Sequence, residues 1–72
     1  MFEYLEEVKF EIVKFLAENE DSVDCDYLSA CFDDIDCYIE SDGLYGTAEG
    51  IEETAKEAMT IINNSYRKWD KN

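Results

Sequence analysis

Positive charge is missing from more than half of this chain. Residues 15–55 contain no lysine or arginine, whereas the same stretch contains thirteen aspartates and glutamates. A surface with one sign of charge repels other anions, attracts dense positive charge and weakens the compact state by self-repulsion. The absence disfavours direct nucleic-acid binding, which needs basic residues, and it disfavours binding to an anionic membrane surface.

Histidine is also absent, and the sequence contains neither a phosphate-cradling glycine loop nor a nucleophile elbow. Paired carboxylates can perform acid–base chemistry, but here they are abundant and no pattern indicates a cleft between them. We therefore expect no enzymatic activity and no cofactor.

The three cysteines are odd in number and lie six residues apart, at Cys25, Cys31 and Cys37. On a helix, residues at this spacing are rotated by about 240°, so the thiols cannot converge on one metal ion. The pattern matches neither a disulfide framework nor a zinc site. We expect small core-filling thiols in a reducing cytosol.

A calcium loop around Asp42 and Gly43 is an alternative that the spacing raises. On the twelve-residue EF-hand template, Gly43 takes the sixth position and Glu49 the twelfth. The first position, where a carboxylate anchors the ion, is Tyr38. The template fails there, and we expect no metal site.

Long apolar runs are absent as well. No segment approaches the roughly 20 apolar residues of a membrane span, and residues 2–7 are acidic where a secretory signal is basic. These features predict a cytoplasmic protein.

What the chain does contain is a substantial apolar fraction with helical spacing. Hydrophobic residues make up 46% of the chain and aromatic residues 14%, which favours a folded domain over a disordered acidic tail. Proline is absent and the three glycines lie at positions 43, 46 and 50, so helix is unopposed elsewhere. We predict a single all-α domain over residues 1–72, a small three-helix antiparallel bundle with short connections.

The three helices have distinct apolar stripes. The first runs from about Phe2 to Glu18, and the second from about Val23 to Ser41, with Ser22 or Asp24 as its N-cap and Gly43 as the left-handed residue that ends it. Thr47 is the predicted cap of the third. The stripes are Leu5, Val8, Ile12, Phe15 and Leu16; Leu28, Cys31, Phe32, Ile35, Tyr38 and Ile39; and Ala48, Ile51, Ala55, Ala58, Ile62, Ser65 and Trp69.

The first helix carries apolar residues outside its stripe, at Phe2, Phe10 and Val13. It is therefore apolar around more than half of its circumference. We expect it either to be the central element of the bundle or to present part of its surface to a partner.

Acidic residues concentrate on the second helix, opposite its apolar stripe. Four of them fall within about an 80° sector and span on the order of 21 Å. Duplex DNA presents one charge per about 1.7 Å of axis, so such a surface can compete with phosphates; a solubilising role is the alternative. Tyr45 is a candidate aromatic anchor. The predicted partner-binding residues are Asp26, Asp33, Asp34, Asp36, Glu40, Asp42, Tyr45, Glu49, Glu52 and Glu53.

In charge density, size and helicity this sequence resembles the phage-encoded inhibitors that imitate DNA, such as anti-restriction proteins and some anti-CRISPR proteins. Bacterial immunity proteins that neutralise basic nuclease toxins share these features. The resemblance includes no alignable motif, so it assigns no residue. It implies a stoichiometric inhibitor that blocks the DNA- or RNA-binding site of a basic host protein, such as a CRISPR effector, a restriction enzyme or another defence nuclease. If a phage encodes the protein, its expected location is the cytoplasm of the host cell.

The alternative function is a small interaction or regulatory module. It would be immunity- or antitoxin-like, or a homodimer that forms through the first helix, with its charge serving solubility.

Overall fold

Three helices form the molecule, as a computed structural model of the chain shows; it describes the backbone of residues 2–70 and the side chains of residues 2–65. They are α1 (Glu3–Glu18), α2 (Cys25–Glu40) and α3 (Ala48–Asp70). Each helix packs against the other two, which confirms the predicted three-helix bundle. The backbone extends over 43 × 18 × 16 Å.

The predicted stripes form the core of this bundle. The first two stripes are buried or partly buried throughout their length, because they recur every three or four residues along one helix face. In α3 the buried stripe begins at Ile51, not at Ala48, which is exposed at the rim of the bundle. The side chain of Trp69 lies outside the described residues. The buried residues are Leu5, Val8, Ile12, Phe15, Leu28, Cys31, Ile35, Tyr38, Ile51, Ala55, Ala58 and Ile62.

The additional apolar residues of α1 have different environments. The Phe2 ring packs edge-on against Tyr38, with 5.7 Å between the ring centroids, and belongs to the margin of the core. Phe10 and Val13 are exposed, at 67% and 50% of their surface. Because α1 contacts both other helices along one side, its outer side faces solvent, and it is not a central element.

The connection between α2 and α3 begins with a left-handed residue, one position earlier than the sequence suggested. Asp42 has φ 59°, and Gly43 follows with φ 89°. The Gly43 N–H donates to the Tyr38 carbonyl (2.9 Å) and the Asp42 N–H donates to the Ile39 carbonyl (3.0 Å). This is the Schellman pattern for a helix whose last residue is Glu40, and it places an aspartate where glycine is most favourable.

The N-caps of α2 and α3 agree in part with the predicted capping residues. Thr47 caps α3, since its Oγ1 accepts a hydrogen bond from the Gly50 N–H at 3.0 Å. Asp24 occupies the N-cap position of α2, but its side chain makes no capping bond. The Ser22 hydroxyl accepts from the Asp24 N–H at 3.2 Å and tightens the turn before the helix.

The cysteines differ in burial. Cys31 is buried, as expected, and Cys25 is half-buried with its Sγ 3.0 Å from the Asn19 carbonyl oxygen. Cys37 is exposed, so the expectation of a core-filling thiol is wrong there. The reason is the rotation of about 240° between positions six apart: if Cys31 faces the core, Cys37 cannot.

Candidate partner-binding surface

The helix directions bring four segments of the chain to one end of the bundle. The first half of α1, the second half of α2, the connection that follows it and the first half of α3 meet there. A shallow groove lined by Phe2, Tyr4, Leu5, Tyr38, Ala48 and Glu52 joins all three helices at this end. We call residues 2–9 and 33–55 the acidic end, and residues 10–32 and 56–70 the opposite end.

Charge is distributed unequally between the two ends. The acidic end contains eleven acidic residues and one basic residue, a formal charge of −10. The opposite end contains eight acidic and four basic residues, a formal charge of −4. Lys71, which lies outside the described residues, supplies the one positive charge that completes the −13 of the chain. The bundle is therefore strongly polarised along its length.

The density of this charge is comparable with that of a nucleic acid. Eight residues of helix extend about 12 Å, so with the connection the ten net charges fall within roughly 15 Å, near one per 1.5 Å. Duplex DNA has one per about 1.7 Å. Over the whole 43 Å length, the charge of −13 is near one per 3.3 Å, similar to one DNA strand at about 3.4 Å.

Nine of the ten residues predicted for partner binding lie in the acidic end. Asp26 does not: it lies on the same side of α2 as Asp33 but about 10 Å further along the helix. The acids also extend beyond α2, because Glu3, Glu6 and Glu7 of α1 are exposed at the same end. The carboxylates thus surround the acidic end on the outer sides of all three helices and do not form one flat face.

One of the eight carboxylates among these nine residues is neutralised. The Lys9 Nζ lies 2.6 Å from the Asp36 Oδ1, in an ion pair that joins α1 to α2 and is partly shielded from solvent. The same ammonium lies 5.3 Å from the centroid of the Phe32 ring, in a cation–π arrangement. The acidic end thus keeps its single basic residue inside a structural contact. Asp36 is consequently a weaker candidate for partner contact than Asp33 or Glu40, which are exposed.

Two predicted residues share a depression between α2 and α3. Asp34 and Tyr45 line it together with Cys37, Thr47 and Thr54. Tyr45 is 72% exposed, so its ring remains available for contact with another molecule. The thiol of Cys37 in this depression is a feature that the sequence reasoning missed, although the rotation between Cys31 and Cys37 would have revealed it.

The predicted acidic residues of α3 lie together on the surface of that helix. Glu49, Glu52 and Glu53 are exposed and surround a shallow surface that Lys56 also lines. Lys56 begins the opposite end, where cations are again interspersed with acids. Asp42, at the other side of the connection, is exposed as well.

At the opposite end, a neutral donor joins α2 to α3. The Tyr27 hydroxyl donates to the Glu57 Oε1 at 2.5 Å. This hydrogen bond to a carboxylate is the main reason that the pKa of Tyr27 is raised to about 12 from its usual 10.0. Nearby, burial raises the pKa of the Cys31 thiol, with a further contribution from the Glu57 charge.

Other site types receive no support from this arrangement. Within residues 2–65, no group of three or more cysteine, aspartate and glutamate side chains is placed to hold a metal ion. No helix in the described part of the chain is long and apolar enough to cross a membrane. No family model matches this chain, and no curated protein or solved structure matches it.

Proposed function

We propose that this protein is a stoichiometric inhibitor whose acidic end occupies the phosphate-binding site of a basic nucleic-acid-binding protein, such as a CRISPR effector, a restriction enzyme or another defence nuclease. The observation that carries the proposal is the formal charge of −10 at one end of the bundle, where the single basic side chain is already bound to Asp36.

The physical basis is electrostatic steering by fixed charge. A rigid bundle holds its carboxylates at a density near that of phosphates, so a cationic groove gains the same long-range attraction from either ligand. Such association is fast at low salt and weakens as the Debye length shortens. Because the charge is concentrated at one end, the bundle would approach its partner end-on.

The test is competition between this protein and labelled DNA or RNA for a panel of basic nucleases and effectors. We expect displacement at about 50 mM NaCl and much weaker displacement at about 300 mM. Failure to displace nucleic acid from any member of the panel at low salt would contradict the proposal.

Two matched variants distinguish an effect of the acidic end from an effect of overall net charge on binding. The double variant Asp33→Lys/Glu53→Lys changes exposed acids of the acidic end, and Glu20→Lys/Asp21→Lys changes exposed acids of the opposite end. Both variants raise the net charge by four. We expect the first to weaken displacement by at least about tenfold and the second by only about two- to threefold. Equal losses would mean that overall charge, and not the acidic end, drives binding.

The exposed side chains Phe10 and Val13 favour a second candidate, a module that pairs with its own copy through the outer side of α1. Antiparallel pairing would place Lys14 opposite Glu7 of a second copy and keep the acidic ends far apart. Salt should strengthen this dimer, since it screens the repulsion between two chains of charge −13. Light scattering at two salt concentrations, with Phe10→Ser as the variant, tests it: a monomer at all salt concentrations would exclude this candidate.

A further inference from the structure

Two large apolar side chains project from the extremity of the acidic end. Leu44 is 85% exposed and Tyr45 is 72% exposed, and they are neighbours in the connection between α2 and α3. We call them the apolar pair. Burying such groups would release about 25 cal/mol per Å² of apolar surface, so their exposure leaves unused binding energy at the point of highest negative charge.

The backbone that carries the apolar pair is held by hydrogen bonds. The Leu44 N–H donates to the Ser41 carbonyl (3.3 Å) and the Tyr45 N–H donates to the Ser41 hydroxyl (3.1 Å). That hydroxyl in turn donates to the Tyr38 carbonyl (3.1 Å). The pair is therefore presented on an ordered turn, which lowers the entropy lost when a partner binds.

The surroundings of the apolar pair define the chemistry of its partner. Glu40 and Asp42 precede it, Glu49 follows it, and Asp34 lines the same depression as Tyr45. A partner surface must therefore offer cations around an apolar or aromatic recess. Proteins that bind single-stranded nucleic acid have this combination, because a basic groove follows the backbone and aromatic side chains stack on the bases.

We infer that the apolar pair takes the place of an unstacked base on an aromatic platform of the partner, while the neighbouring carboxylates take the place of its phosphates. This inference rests on the proposed function and narrows the partner to basic proteins that bind single-stranded or flipped-out nucleotides. Proteins that contact only the backbone of duplex DNA lack an aromatic platform, so contact with Leu44 and Tyr45 would not increase their affinity for this protein.

The experiment uses two labelled peptides as probes, one with eight lysines and one with the same eight lysines interleaved with four tryptophans. Fluorescence anisotropy with the full chain at about 50 mM NaCl measures both affinities. We expect the wild-type protein to bind the tryptophan-containing peptide about tenfold more tightly, since one stacked ring contributes on that scale. Equal affinities of the wild type for the two peptides would overturn the inference.

Variants show which residues cause the preference for the tryptophan-containing peptide. Leu44→Ser/Tyr45→Ser should bind both peptides with the affinity that the wild type has for oligolysine. Val23→Ser is the matched control, because Val23 is 93% exposed in the connection at the opposite end; it should keep the preference, as should Tyr45→Phe, which keeps the ring. A preference that survives in Leu44→Ser/Tyr45→Ser would overturn the inference.

The same assay separates this inference from the proposed function. If Asp33→Lys/Glu53→Lys binds oligolysine as tightly as the wild type, the acidic end is not the cation-binding surface, and the proposed function fails with it. If that variant loses oligolysine binding while the tryptophan preference is independent of Leu44 and Tyr45, the inference alone fails.

Discussion

The two ends of the bundle are built from the same three helices, yet they differ in charge and in the completeness of their cores. At the extremity of the acidic end Leu5, Tyr38 and Ile51 keep 7–9% of their surface exposed. The inner core residues of that end are as fully buried as Phe15 and Leu28 at the opposite end. The acidic end therefore combines more self-repulsion with less complete burial at its extremity. Surfaces kept for binding are commonly drawn from the less stable part of a fold, and this asymmetry is consistent with binding at the acidic end.

Each end also has its own contact between helices. Lys9 and Asp36 join α1 to α2 at the acidic end by an ion pair, and Tyr27 and Glu57 join α2 to α3 at the opposite end by a hydrogen bond from a neutral donor. The first contact removes a cation from the surface where the charge is negative. The second contact uses no cation.

The largest expected effect is the loss of stability when a core leucine is replaced by alanine, a change that can be made at each end of the bundle. Leu28→Ala, at a fully buried position, should lower the free energy of unfolding by about 3–4 kcal/mol, and Leu5→Ala by about 2–3 kcal/mol. Urea denaturation measures both, with sulfate added if Leu28→Ala is largely unfolded in buffer. Equal losses would show that the two cores are equally tight and would remove that part of the comparison.

Salt should stabilise the acidic end more than the opposite end. Same-sign pairs three or four residues apart cost about 0.2–0.5 kcal/mol each, so four exposed pairs account for about 1–2 kcal/mol. Raising NaCl from about 10 mM to about 500 mM screens this cost. Hydrogen exchange should show greater gains in protection in residues 51–55 of α3, beside two of these pairs, than in residues 58–62 of the same helix, which carry no charge. Uniform gains would contradict the prediction. The pairs are Glu3/Glu6, Glu3/Glu7, Glu49/Glu52 and Glu49/Glu53.

The fold could be predicted from the sequence because apolar spacing is a local property of each helix. Ile51, Ala55 and Ala58 recur three and four residues apart, and no glycine or proline interrupts the first two helices. The details that differ from the sequence-based prediction depend on how the helices pack together. Gly43 is left-handed as expected, with φ 89°, but Asp42 before it is left-handed too, with φ 59°, and the helix ends one residue earlier.

The candidate surface was only partly predictable for the same reason. The acids of α2 and α3 could be identified directly, but the pairing of Lys9 with Asp36 joins residues 27 positions apart. It depends on the rotation of α1 against α2, which composition does not determine. The separation of Asp26 from the acidic end, by contrast, follows from the antiparallel arrangement, since Asp26 lies in the first turn of α2 and Asp33 in its second half.

The ion pair predicts opposite stability changes when each of two aspartates on α2 is replaced by asparagine. Asp36→Asn should destabilise the protein by up to about 1 kcal/mol, because it leaves Lys9 without its partner. Asp33→Asn should stabilise it by a few tenths of a kcal/mol, since within the described residues Asp33 has no ion-pair partner and it repels its neighbours. Thermal unfolding at low salt measures both changes. If both variants gain stability, the pair contributes nothing and Asp36 is a free charge after all.

Backbone and charge effects can be separated at Asp42, which has φ 59° at the carboxyl end of α2. Asp42→Asn removes an unfavourable charge from the negative end of the helix dipole and keeps a residue that tolerates this conformation, so it should stabilise by about 0.5 kcal/mol. Asp42→Ala removes the same charge but should destabilise by about 1 kcal/mol. Equal shifts in both variants would mean that charge alone matters there.

The smallest effect at neutral pH concerns Tyr27 at the opposite end. Its pKa in the folded state is raised to about 12 from 10.0, because the protonated hydroxyl donates to Glu57. The contribution of this bond to stability is fully present below pH 10 and is lost as the pH rises from 10 toward 12. Tyr27→Phe should therefore abolish a tyrosinate absorbance change centred near pH 12. Glu57→Gln keeps an acceptor but no charge, and it should move that change toward lower pH. If the change is unaltered in Tyr27→Phe, the hydrogen bond to Glu57 does not join α2 to α3 in solution, and the opposite end lacks the contact that distinguishes it from the acidic end.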